Sequence, residues 1–134
     1  MVERAVALCA GNIVAFEDLQ SRLGASRANL EAVRQSLVGV VNEGTAKVAR
    51  LPNIQVAGKT GTAQVVALDP DNPKKKRERR MEDHAWFVAY APADDPRLAV
   101  AVLVEHGGHG GSEAAPLASR VIKAGLEPRV AQAK

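Results

Sequence analysis

Apolar and polar positions divide this chain into stretches of two different periods. Between Arg27 and Glu43, Leu30, Val33, Leu37, Val40 and Val41 recur every three or four residues, the spacing that builds one stripe on an α-helix. Ser26 stands where an N-cap belongs, with Asn29 as a rival, and Gly44 is placed to stop the helix in the left-handed conformation. Residues 53–67 alternate instead: Ile54, Val56, Thr60, Thr62 and Val66 fall on one side and Gln55, Ala57, Lys59 and Ala63 on the other, which predicts a long strand. Two more strands follow, His84–Ala91, ended by Pro92, and Leu98–Glu105. The short Ala93-Asp94-Asp95-Pro96 connection predicts antiparallel neighbours. A last helix is expected over Ala114–Ala124, with Leu117, Val121 and Ile122 on one face, Pro116 in its first turn and Gly125 at its end. Residues 3–17 read as a hairpin turning at Gly11-Asn12. The order helix, three strands, helix predicts an α+β fold, an antiparallel sheet covered by helices.

Composition narrows the function classes. At 134 residues the chain is one domain or a piece of one. Its aromatic residues are only Phe16, Trp86, Phe87 and Tyr90, too few for the stacking platforms of single-stranded nucleic-acid binding. The basic cluster Lys74–Arg80 lies in a polar excursion, Asp69–Asp83, where six bases face five acids. A solvated loop is the expected reading and no nucleic-acid partner is called for. Cys9 is alone, so no internal disulfide forms. No apolar run approaches the roughly 20 residues of a membrane span, and the N-terminus carries no export signal. Glu105, His106 and His109 sit in a glycine-rich turn whose spacing fixes no coordination geometry, so no metal is expected.

The run Val56-Ala57-Gly58-Lys59-Thr60-Gly61-Thr62-Ala63-Gln64 carries the chemistry. A phosphate loop is excluded because Asn53 stands where its first glycine belongs and a β pattern, not a helix, follows. On a strand, Thr60 and Thr62 share a side, so two hydroxyls can meet one carboxylate. Gly61 between them permits close backbone approach, and Lys59 brings positive charge. A free N–H here can serve as an oxyanion donor. Lys-Thr-Gly is also the third signature of serine acyl-transferases that act on β-lactams and peptidoglycan stem peptides. The Ser-x-x-Lys and Ser-x-Asn partners of that signature do not occur: Ser21, Ser26, Ser36, Ser112 and Ser119 all lack a lysine three residues on.

Flanking segments extend the match: Leu37-Val38-Gly39-Val40-Val41-Asn42-Glu43-Gly44-Thr45-Ala46, then His84-Ala85-Trp86-Phe87-Val88-Ala89-Tyr90-Ala91-Pro92, then Val100-Ala101-Val102-Leu103-Val104-Glu105-His106-Gly107-Gly108. With these in order, the chain resembles the penicillin-binding protein transpeptidases, most closely class B enzymes of the penicillin-binding protein 2 type. The resemblance implies a partial penicillin-binding/β-lactamase-like transpeptidase fold. Residues 1–134 would be the C-terminal part of the catalytic domain, the part with the nucleophile lying upstream of Met1. It implies a peptidoglycan D,D-transpeptidase of cell-wall synthesis working through a serine acyl-enzyme, without a cofactor.

By the same resemblance Lys59 would hold the second-motif serine and the substrate carboxylate. The Thr60 and Thr62 hydroxyls would bind the terminal carboxylate of a D-Ala-D-Ala stem peptide, or of a β-lactam. The Thr62 backbone N–H would be an oxyanion donor, with substrate added along Lys59-Thr60-Gly61-Thr62 as an extra strand. The implied partners are stem peptides, β-lactams and proteins of cell-wall elongation, and the implied location of the whole enzyme is the periplasmic side of the inner membrane. Two alternatives stand beside this: a truncated fragment without catalysis, and a serine β-lactamase or β-lactam sensor.

Overall fold

The computed structural model describes residues 5–9, by backbone alone, and 24, 26–67, 71 and 78–126. Its elements are β1 (Ala5–Cys9), α1 (Arg27–Asn42), β2 (Ala57–Ala63), β3 (His84–Ala91), β4 (Leu98–Val104) and α2 (Ala115–Leu126), with a single π-helical turn (Gly110–Ala114) leading into α2. The remainder of the expected 3–17 hairpin, and residues 74–77 of the basic cluster, lie outside the described residues.

The strands form one antiparallel sheet in the order β1-β4-β3-β2, as the alternation and the short connections imply. Register puts Thr60 opposite Phe87 and Phe87 opposite Val102, so these share a face with Ala85, Ala89, Val100 and Val104. That face is buried in β3 and, from Val100 to Val104, in β4, and α2 covers it. The opposite face carries Lys59, Trp86, Val88, Tyr90 and Ala101. It is more open, and Val88 is 47% exposed. Leu37 of α1 stands over its far end, where it borders a cavity of about 390 Å³ with Ala57, Lys59, Val88, Tyr90 and Ala101.

Helix α1 follows its periodicity. The Ser26 hydroxyl accepts from the Asn29 N–H at 3.2 Å, which settles the cap in favour of Ser26. Only the C-terminal end of the apolar stripe enters the core: Val41 is 1% exposed, whereas Val33 is 55% exposed.

Three expectations are corrected. The strand expected over 53–67 is only Ala57–Ala63. Pro52-Asn53 makes a turn, with Asn53 at φ 63° and Leu51 bridged to Ile54, and beyond Ala63 the Asp83 carboxylate takes the Val65 N–H at 3.2 Å. Gly44 and Gly125 are present for space rather than for left-handed backbone. A Cβ on Gly44 would lie 2.8 Å from Val40 Cα, and one on Gly125 would lie 2.7 Å from Leu98 Cδ2; α2 accordingly runs past Gly125 to Leu126. The buried stripe of α2 is Ala115, Ala118, Ser119 and Ile122, with Leu117 and Val121 only partly covered. Small residues let this helix settle closely on a sheet face already filled by Phe87 and valines.

Candidate functional site

Strand β2 is the edge of the sheet: β3 pairs with one side of it and no strand pairs with the other among the described residues. The four residues singled out from sequence therefore line an open border. Lys59 and Thr62 are exposed, and Thr60 and Gly61 half-buried. Thr60 and Thr62 lie on one face and Lys59 on the other, as the alternation requires. The Lys59 ammonium donates to the Thr60 carbonyl at 2.8 Å. An ammonium reaches that oxygen from outside the sheet, so the Thr60 carbonyl is turned to the open edge. The two-residue repeat gives the Thr62 N–H and C=O the same side. The border thus presents an ammonium, two hydroxyls and backbone groups that no strand among the described residues pairs with, the Thr60 carbonyl being held by Lys59.

Three further residues hold this border and were not singled out from sequence. The Thr45 hydroxyl, just past the end of α1, lies 3.0 Å from the Thr60 hydroxyl. Gly110 and Gly111 press their backbone against β2 and its neighbours. A Cβ on Gly110 would lie 2.7 Å from Gly61 O, 3.1 Å from Gly61 N and 2.1 Å from Trp86 O. One on Gly111 would lie 2.3 Å from Thr45 O. The close backbone approach is permitted by Gly110 of the π-helical turn rather than by Gly61, on which a Cβ would meet only Trp86 Cβ, at 3.2 Å. The signals were visible as glycine pairs and a helix-end Gly-Thr, but neither pattern names a partner so far away.

The far end of β2 and β3 is fixed by histidine contacts. His84 Nδ1 accepts the His106 backbone N–H at 2.9 Å, His106 Nδ1 lies 3.1 Å from Glu82 O, and the two rings meet edge to face at 4.7 Å. His106 sits at φ 54°. These bonds match the structural role expected of His84. Among the described residues no three His, Cys, Asp or Glu side chains converge as metal ligands. At the other end, burial pushes the Tyr90 phenol above its usual pKa, while the nearby Arg34 guanidinium pulls it down. Among the described residues no helix is long and apolar enough to cross a membrane.

Comparisons with known proteins identify the family of this chain. A family described as "Penicillin binding protein transpeptidase domain" matches residues 17–123. The chain is 44% identical over 108 residues to peptidoglycan D,D-transpeptidase MrdA of Haemophilus influenzae, a match covering 76% of this chain and 16% of that protein. Among solved structures it is similar to PBP2 of Pseudomonas aeruginosa, at TM-score 0.61 and 37% identity over 78% of this chain and 20% of that one. It is also similar to PBP2 of Helicobacter pylori, solved in a complex with MreC, at TM-score 0.59 and 36% identity over 72% and 17%. The chain thus spans about a sixth of the length of the curated relative it matches.

Proposed function

Since this chain belongs to the penicillin-binding protein transpeptidase domain family and is of the PBP2 type, we propose that it forms the C-terminal wall of a peptidoglycan D,D-transpeptidase active site, with the open border of β2 receiving the carboxyl end of a stem peptide. The observation that carries this reading is the placement of Lys59, Thr60 and Thr62 on an unpaired sheet edge with Lys59 and Thr62 exposed. A peptide lying antiparallel to β2 takes main-chain hydrogen bonds from the edge, and its terminal carboxylate meets the two hydroxyls and the lysine charge. A β-lactam, with its own carboxylate, occupies the same place. The Thr62 N–H points to the side where an acyl oxygen would develop negative charge, and the removal of one such donor costs on the order of 10²–10³ in rate.

The acyl-enzyme step needs a serine with a lysine three residues on, and none of the five serines of this chain has one. The segment by itself is therefore a binding wall and not a catalyst; in the whole enzyme it works beside the nucleophile on the periplasmic side of the inner membrane. Stem peptides and β-lactams are its small partners, and a cell-wall elongation protein is a fitting macromolecular one.

The test is an amide spectrum of the ¹⁵N-labelled chain titrated with a peptide ending in D-Ala-D-Ala. Shifts centred on Thr60, Gly61 and Thr62, stronger for the free acid than for the C-terminal carboxamide, are expected. Equal responses to acid and carboxamide, or shifts elsewhere, would overturn the proposal. A fluorescent penicillin is expected to leave no adduct on the denatured chain, and a covalent label would refute the claim of inactivity.

A further inference from the structure

The hydrogen bond between Thr45 and Thr60 has a polarity that a bound carboxylate would set. We propose that Thr45 is a positioning residue for that carboxylate: its hydroxyl donates to Thr60 Oγ1 and so turns the single Thr60 proton toward the ligand. The inference rests on the reading of β2 as a carboxylate seat.

The argument begins with proton counting. A hydroxyl has one proton to donate and two lone pairs, and an ionised carboxylate only accepts. The two hydroxyls lie 3.0 Å apart and either could donate. Once Thr60 gives its proton to a carboxylate, only Thr45 has one left for the bond between them. The order is then fixed as Thr45 to Thr60 to carboxylate, a chain in which each bond polarises the next.

Thr45 is well placed to hold this arrangement. Its neighbour Ala46 is fully buried and donates its N–H to Val40 O at 3.0 Å. On the other side the Gly111 backbone packs against Thr45 O, close enough that a Cβ would lie 2.3 Å away. The segment is gripped from both directions, and the β-branched side chain restricts χ1. The Thr60 carbonyl is also committed, since Lys59 donates to it at 2.8 Å. Thr45 itself is exposed, so removal of its hydroxyl takes little from the core. A change in ligand preference can then be separated from a change in folding.

The test uses the 134-residue chain and the same peptide pair, free acid and carboxamide, with affinities from amide shifts. Thr45→Val removes the hydroxyl and keeps the shape. It should weaken acid binding about 5-fold, the worth of one ordinary hydrogen bond, and leave carboxamide binding unchanged, because an amide can donate to a Thr60 hydroxyl that has turned around. Thr45→Ser should restore the acid preference. Thr45→Ala, which adds no methyl in place of the hydroxyl, should repeat the loss and exclude a packing effect of valine. If Thr45→Val and Thr45→Ala keep the wild-type acid-to-amide ratio, or serine does not restore it, the Thr45 assignment is overturned while the carboxylate seat stands. If the wild-type chain itself shows no acid preference, both fall together.

Discussion

Replacing Gly110 by alanine tests whether the π-helical turn really rests on the strand beneath it. The added Cβ would lie 2.1 Å from Trp86 O, 2.7 Å from Gly61 O and 3.1 Å from Gly61 N. All three are backbone atoms of two paired strands, so no side chain can swing aside. Relief requires the turn to lift by roughly 1 Å, which opens the packing under Gly61. Overpacking of this kind costs about 1–3 kcal/mol, and backbone-only contacts on a buried glycine place Gly110→Ala at the upper end. For a chain of 134 residues each kcal/mol lowers Tm by roughly 3–5 °C, so a fall of roughly 9–15 °C is expected. Thermal unfolding followed by far-ultraviolet circular dichroism reads the global change. Trp86 is the only tryptophan, and its carbonyl is the closest contact, so its fluorescence reads the local one. Gly39→Ala is the control. It lies within α1 with nothing within 4 Å of the added Cβ, and alanine there should stabilise by about 0.5–1 kcal/mol through helix propensity. The same chemical change should thus move Tm in opposite directions at the two positions. A neutral Gly110→Ala, or two shifts of the same sign, would refute the reasoning.

Other perturbations probe the core, the cap and the surface charges. Phe87 is fully buried at the centre of the covered face, and Phe87→Ala should cost about 3–5 kcal/mol, measurable by urea unfolding; a loss below about 1 kcal/mol would contradict its central place. Ser26→Ala removes the cap that accepts from the Asn29 N–H and should cost about 1 kcal/mol, with the loss of helical signal confined to α1. The Glu31 carboxyl is lowered from its ordinary 4.5 to about 2, first by its hydrogen bond from Arg34 and then by one from Gln35. A carboxylate depressed on folding adds stability above about pH 4.5 that is lost as pH falls towards 2. Glu31→Gln should therefore lower Tm at pH 7, slightly and less in high salt because the pair is at the surface. The difference from wild type should vanish near pH 2; one that does not change with pH would exclude this origin.

Elements with a strong internal period were legible before the structure was known. The α1 stripe, the β3–β4 hairpin and the antiparallel sheet follow from patterns a few residues long. What escaped depends on neighbours supplied by the fold. Alternation continues on both sides of β2, yet the turn at Asn53 and the capture of the Val65 N–H by Asp83 cut the strand to Ala57–Ala63. Gly44 and Gly125 satisfied a local rule for helix ends while serving close packing against Val40 and Leu98. Of the large apolar residues expected to face inward from α2, Ile122 is fully buried, but Leu117 and Val121 are only partly covered, the rest of the buried stripe being Ala115, Ala118 and Ser119. At the site, the Lys59–Thr62 tetrad was readable because strand periodicity alone sorts its side chains. Thr45 and the Gly110-Gly111 pair were not, since their partners lie 15 and about 50 residues away and nothing in their local pattern encodes a target.

The dependence of Gly61 on Gly110 also has a temporal side. A ribosome adds roughly 5–20 residues each second, so the tetrad exists for roughly 2–10 s before the glycine that supports it has been made. Early in that interval His84–Ala91 has not been made either, so β2 has no strand on either side, the kind of surface on which nascent strands aggregate. A well-folded product should accordingly be favoured by a holding chaperone, because β2 is made before both the strand and the turn that pack against it.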